Sequence, residues 1–313
     1  MIALTGKSLG LYVTNTCNRS CAFCFKKHGY PRPMQISLAD LSIFCDWCSH
    51  NNIGVISLAG GEPTTHPEFP AVVRMVHEKV QLDFPLAIIT NLLCEPEKVE
   101  AIHNCLVLAN ADSLDQYTPE NLKRFQANLK RVSEQSNGIT LSITLWHLDQ
   151  PTEHLLQYCQ EFRIPYVRFD LARASILKPN IYVKLDQLEA FKMKILEAAR
   201  PLVSAGVKIG FDCPLPFYMF TEDELREIGV QHFLAMNPAY HMCEHIYINP
   251  DLTISACPHQ LLLDRRLDTF KDYSDLFNTV FFSKLNKLND DRADQAGAYL
   301  CEAERFLSRD GQI

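Results

Sequence analysis

From residue 8 to about residue 210, short apolar or β-branched runs alternate with longer amphipathic stretches, and this alternation constrains the fold more than any other feature. The pattern predicts strands over Ser8–Thr14, Ile53–Ala59, Pro85–Thr90, Cys105–Asn110, Ile139–Trp146 and Tyr166–Leu171. It predicts helices over Ser37–Asn51, Pro67–Val80, Pro96–His103, Pro119–Gln135 and Thr152–Phe162, and a sixth over Val183–Ser204. Ser37 stands three residues before Asp40, and Pro67, Pro96 and Pro119 open their stretches as prolines do in a first helical turn. Strand and helix in strict alternation give an α/β fold with a parallel sheet and right-handed crossovers. Six units fall short of the eight of a closed barrel. The expectation is therefore a partial (β/α)6 TIM-like barrel, open on one side to a large substrate.

After Gly210 the pattern changes. Pro214, Pro216, Pro238, Pro250 and Pro258 interrupt the chain, and His245–Pro258 reads as a hairpin turning at Asn249-Pro250-Asp251. The chain is accordingly expected to divide into a barrel, residues 1–210, and a small second region, residues 211–313.

Composition narrows the function. The net charge is −7, which argues against nucleic acid or an anionic membrane as partner. No signal-peptide pattern opens the chain and no apolar run reaches 18 residues, so a cytoplasmic location is expected. Yet there are 12 cysteines in 313 residues. In a reducing compartment these thiols are packing residues or metal ligands, not disulfides.

Three of them are concentrated in Cys17-Asn-Arg-Ser-Cys21-Ala-Phe-Cys24, directly after the first strand. Thiolates at C-x3-C-x2-C spacing select iron–sulfur clusters, zinc or Cu(I). Zinc would close its shell with a fourth ligand, for which His28 is the nearest candidate. Three ligands on a four-iron cluster would instead leave one iron open. The second strand ends in Gly60-Gly61-Glu62-Pro63. The two glycines there would admit close approach of a ligand, and the carboxylate could hold an ammonium group.

Taken together and in this order, the two motifs resemble the radical S-adenosylmethionine (SAM) superfamily, over roughly Ser8 to Leu171. The resemblance implies a [4Fe–4S] cluster on Cys17, Cys21 and Cys24, whose open iron binds the amino and carboxyl groups of SAM. Gly60, Gly61 and Glu62 would meet the methionine amino group, and Phe23 would pack beside the adenine. One electron, from an external donor such as flavodoxin or ferredoxin, would cleave the C5′–S bond, and the 5′-deoxyadenosyl radical would take a hydrogen atom from substrate. Further strand ends offer Asn110, Ser142, Thr144, Arg168 and Arg173 as cofactor-binding candidates, with solvated or locally capped polar residues as the alternative. Asn110 stands where the family usually has a serine.

Cys45, Cys48, Cys94, Cys105 and Cys159 lie within or beside expected elements and read as packing residues. Cys213, Cys243, Cys257 and Cys301 all follow the barrel, and Cys243 and Cys257 bracket the hairpin. They resemble the auxiliary-cluster region of SPASM and twitch radical SAM enzymes, with twitch the closer fit because later C-x2-C pairs are missing. The resemblance implies one auxiliary [4Fe–4S] cluster; packing thiols or a zinc site are the alternatives. The family's usual glycine in the hairpin is Leu252 here.

The cyclase family that makes the molybdopterin precursor from GTP has C-x2-C-x13-C in this place. Cys243 and Cys257 match its last two cysteines, Tyr240 stands at the first, and its Arg-x-Arg pair is His245-Ile246-Tyr247. A triphosphate needs cationic partners, and their loss argues against GTP. Tyr240, His245 and Tyr247 are the substrate-contact candidates, with Tyr218, His241 and His259 nearby. The substrate is expected to be a small metabolite or a peptide side chain; a non-catalytic iron–sulfur electron-transfer protein and a zinc-stabilised binding module are the alternative readings. The absence of an extension before the first strand favours the metabolite.

Overall fold

The computed structural model describes residues 7–24, 33–112, 114–172, 180–211, 219–230, 246–256 and 261–288. Within them seven parallel strands follow one another in chain order: β1 (Ser8–Thr14), β2 (Val55–Gly60), β3 (Ala87–Thr90), β4 (Leu106–Asn110), β5 (Gly138–Leu145), β6 (Tyr166–Leu171) and β7 (Lys208–Phe211). Between them lie α1 (Leu38–His50), α2 (Phe69–Lys79), α3 (Pro96–Glu100), α4 (Pro119–Gln135), α5 (Glu153–Glu161) and α6 (Leu188–Ser204). This is the expected partial barrel with one strand more. The sequence pattern does not announce β7, because Lys208-Ile-Gly-Phe is short and begins with an exposed lysine.

Local chemistry explains the helix starts. Ser37 accepts the Asp40 amide at 3.0 Å, and Thr118 accepts that of Asn121 at 3.2 Å ahead of Pro119. Each satisfies an orphan donor of the first turn. Pro67 does not open α2. The helix begins at Phe69 with Pro70 in its first turn, after a turn in which the Glu68 amide donates to His66 Nδ1.

Burial alternates with a period of two along β3, β4, β6 and β7, while β1 is buried from Leu9 to Thr14. Leu9, Leu11, Val13, Ile56, Leu58, Val107, Leu141, Ile143, Val167 and Phe169 are buried on one face, packed with Phe44, Phe69, Phe125 and Phe191 from the helices. Each fully buried side chain of this kind contributes about 1.5–3 kcal/mol. The opposite face carries Gly10, Tyr12, Asn110, Ser142, Thr144, Arg168 and Asp170 and is free to be chemical.

The chain then returns to its first strand. β8 (Ile246–Ile248) pairs parallel with β1, and β9 (Thr253–Ala256) and β10 (Leu261–Arg266) continue antiparallel, so that one sheet of ten strands results. The hairpin expected around Asn249-Pro250-Asp251 is β8–β9. The Leu252 amide donates to the Asn249 carbonyl at 2.9 Å, and the Asn249 amide to the Thr253 carbonyl at 2.8 Å. The helix Tyr273–Leu288 follows, anchored by its Tyr273 amide to Asn51 Oδ1 at 2.9 Å.

Candidate functional site

The loop leaving β1 carries Cys17, exposed, with Cys21 and Cys24, both half-buried and unbonded. The Cys24 amide donates to the Cys21 carbonyl at 3.2 Å, and the Arg19 amide to Cys17 Sγ at 3.4 Å. The surrounding loop desolvates the thiols, pushing Cys17 up to about 11 and Cys21 up to about 12. A metal that binds thiolates here would release the protons of Cys17 and Cys21. Three thiols on one partly exposed loop suit a soft, thiolate-ligated centre such as an iron–sulfur cluster.

The ends of β2, β3 and β4 grip this loop. Thr14 Oγ1 bonds to Thr16 Oγ1 at 2.9 Å, and Thr16 Oγ1 to Thr65 Oγ1 at 3.0 Å. Asn18, inside the C-x3-C spacing, donates to the Leu93 carbonyl and accepts from Asn91 Nδ2, both at 2.8 Å. Arg19 reaches Asp112, just past β4, at 2.6 Å and lies over the Tyr117 ring at 4.6 Å. Asn180 and Ile181 donate to the carbonyls of Phe23 and Ala22 at 2.9 and 3.1 Å.

Gly60 and Gly61 serve a closer approach than expected, between two parts of the chain. A Cβ on Gly60 would lie 2.3 Å from the Thr14 carbonyl oxygen, and one on Gly61 2.1 Å from that of Thr16. The amides of Gly61 and Glu62 donate to those same carbonyls at 2.9 and 2.8 Å. The Glu62 carboxylate does not face outward to an ammonium group. It is 1% exposed and accepts from the Thr64 amide, Thr64 Oγ1, Thr90 Oγ1 and the Asn91 amide at 2.7–3.1 Å. Burial pushes its pKa upward, and the four donors oppose this. Glu62 thus locks the end of β2 to the end of β3.

The weaker candidates fall on the face away from the helices. Asn110 pairs in register with Ser142, Ser142 with Arg168, and Thr144 with Asp170. Arg168 donates to Ser142 Oγ through Nε and Nη2 at 3.2 and 3.1 Å. Phe23 lies against Trp146, with ring centroids 5.9 Å apart. Tyr247 stacks on Tyr12 at 4.4 Å and 9°, over Gly10, where a Cβ would lie 2.2 Å from the Tyr247 ring. Arg173, Cys213, Tyr240, Cys243, His245, Cys257 and Cys301 lie outside the described residues, as do His28, Tyr218, His241 and His259. Cys45, Cys48, Cys94, Cys105 and Cys159 are buried, as packing thiols should be.

Sequence reasoning missed Asn18, Arg19, Asn91 and Asp112. Asn18 and Arg19 are signalled by their place between two cysteines. Their partners arrive from β3 and β4 and carry no local signal.

Residues 11–146, from β1 through the end of β5, match the model of the radical SAM superfamily. These residues belong to that superfamily. The chain is 30% identical over 121 residues to GTP 3',8-cyclase 1 of Mycobacterium tuberculosis, covering 37% of this chain and 34% of the cyclase. It is also 29% identical over 186 residues to an S-adenosylmethionine-dependent nucleotide dehydratase of Selenomonas ruminantium, covering 56% of this chain and 66% of that one. The chain thus spans about a third of the first relative and under two thirds of the second. In fold, the chain is similar to Streptococcus suis SuiB bound to S-adenosylmethionine, with a TM-score of 0.66 at 14% identity over 95% of this chain and 72% of that one. SuiB has also been solved bound to its precursor peptide SuiA, and that structure matches with a TM-score of 0.62 at 14% identity over 88% of this chain and 64% of that one.

Proposed function

We propose that the chain is a radical SAM enzyme that cleaves SAM reductively and abstracts a hydrogen atom from a small metabolite or a peptide. The observation that carries this reading is the cysteine loop itself. Three thiols stand at the carboxyl end of β1, and bonds from the ends of β2, β3 and β4 hold the loop there. Cys17, Cys21 and Cys24 would hold a [4Fe–4S] cluster, which supplies the single electron that SAM cleavage requires. The chain's own residues supply position. Residues 60–62 offer backbone to the methionine amino group, Phe23 offers a ring to the adenine, and Asn110 and Ser142 offer polar groups on the same face.

Residues 211–313 are proposed as a twitch-like region with an auxiliary cluster on Cys213, Cys243, Cys257 and Cys301. The pairing of Ile246 with Ala256 supports this, because it brings the chain three residues after Cys243 beside the residue preceding Cys257. Tyr240, His245 and Tyr247 would contact substrate. Nucleotides appear in the names of the sequence relatives and a peptide in the SuiB complex, so both classes belong in a substrate screen.

The test is anaerobic reconstitution with iron and sulfide, reduction, and addition of SAM. 5′-Deoxyadenosine is expected from the wild type and not from Cys17→Ala, Cys21→Ala or Cys24→Ala. A reduced, iron-loaded wild type that leaves SAM intact sinks the proposal. Iron content of about eight per chain supports two clusters, and about four supports one.

A further inference from the structure

Arg19 and Asp112 form an ion pair of a kind that tethering alone does not explain. Nη1 lies 2.6 Å from Oδ2, and the side chains are only 8% and 5% exposed. Removing two charges from water costs several kcal/mol per ion before their attraction returns any of it. The loop already has cheaper tethers in Asn18, Thr16 and the carbonyls of residues 22 and 23. The pair is also fixed from several sides. The guanidinium lies over the Tyr117 ring, the Tyr117 hydroxyl donates to the Asn110 carbonyl at 3.2 Å, and His154 Nε2 bonds to the carbonyl of Ala111, the residue before Asp112, at 3.1 Å. What distinguishes Arg19 from the other tethers is its charge and its place. It sits between Cys17 and Cys21, and its own amide bonds Cys17 Sγ.

We propose that Arg19 is a positioning residue that also sets the redox balance of the site: locked by Asp112 and Tyr117, its guanidinium holds a fixed positive charge beside the cysteine loop and favours the reduced cluster. This rests on the reading that Cys17, Cys21 and Cys24 hold the cluster. Reduction adds one electron, from a low-potential flavodoxin- or ferredoxin-type donor or from dithionite in vitro, and the cluster becomes more negative by one charge. No proton is taken up and no bond is made or broken. Net charge near a cluster and hydrogen bonds to its sulfurs are the levers by which a protein moves its potential. Asp112 has the opposite sign, so it moderates the effect of Arg19.

The experiment is an anaerobic redox titration of the reconstituted protein, followed by the electron paramagnetic resonance signal of the reduced cluster, with iron content measured on every sample. Arg19→Met is expected to reduce the ratio of reduced to oxidised cluster at fixed potential by about tenfold, which is 59 mV for one electron. Asp112→Asn is expected to shift the ratio in the opposite direction. Arg19→Lys should fall between Arg19→Met and wild type. A pure tether would move both single variants in the same direction or neither, and either result overturns the proposal. Where a single variant loads too little iron, Arg19→Met combined with Asp112→Leu removes the pair without stranding a buried charge. That double variant is expected to load iron and to titrate within about threefold of the wild type. Failure of every variant to load iron would make the pair a requirement for assembly and overturn the redox role. A wild type that takes up no cluster would sink the underlying reading instead.

Discussion

Leu252 adopts φ +66°, in the left-handed region, at the hairpin position where the resembled family has glycine, and it is fully buried. The backbone conformation costs about 1–2 kcal/mol for a residue with a Cβ. Losing a buried leucine costs about 2–5 kcal/mol. Burial therefore wins, and Leu252→Gly is expected to lower stability in urea although it relieves the backbone; a gain in stability would show that strain outweighs burial. Glu62 gives a second case. Glu62→Ala would leave the hydroxyls of Thr64 and Thr90 and the amides of Thr64 and Asn91 without their acceptor. Each such group costs about 1–3 kcal/mol, so a loss of at least about 2 kcal/mol is expected in a urea titration, together with weaker SAM binding by calorimetry. The Gly-Gly-Glu-Pro motif is legible in the sequence, but its division of labour is not. Spacing reveals that a strand end is special. It does not reveal that Gly60 and Gly61 make room for the carbonyls of residues 14 and 16, or that Glu62 faces inward.

Elements carry the site through contacts that no motif announces. The turn after β3 is held in a strained form, with Leu92 at φ +56°, and its carbonyls at Leu92 and Cys94 both accept from Asn128 Nδ2 on α4, at 2.8 and 2.9 Å. That turn presents Asn91 to Asn18, so α4 supports the cysteine loop at one remove. Asn128→Leu is expected to lower the urea midpoint by the equivalent of about 1–3 kcal/mol and to speed iron loss to a chelator. Unchanged iron retention would disconnect α4 from the loop. Strand positions in the barrel are legible because one face of each strand is fully buried, which writes a period of two into the sequence. β7 is not, because Lys208–Phe211 is short, and neither is the pairing of β8 with β1, because a short edge segment does not encode its partner.

At the scale of the whole molecule, the cysteines impose a pH dependence. Burial pushes Cys45, Cys94, Cys105 and Cys159 up to about 12, as it does Cys21, with Cys17 at about 11. The folded chain therefore holds protons that the unfolded chain releases from about pH 9 upward, and stability must fall as pH rises through that window. The reduced, metal-free protein is expected to show a lower urea midpoint at pH 10 than at pH 8; an unchanged midpoint would mean that the unfolded chain protects its thiols equally. No helix among the described residues is long and apolar enough to cross a membrane.

The order of the sheet has a consequence in time. β1 takes its place between β2 and β8, and Leu11 and Ile248 pair across about 240 residues of chain. Synthesis at 5–20 residues per second puts on the order of tens of seconds between the two. Contacts so distant in sequence are slow to form. During that interval the strand that launches Cys17, Cys21 and Cys24 has one flank uncovered. A nascent chain would therefore complete the contacts of β2, β3 and β4 with the cysteine loop well before β8 covers the other flank of β1.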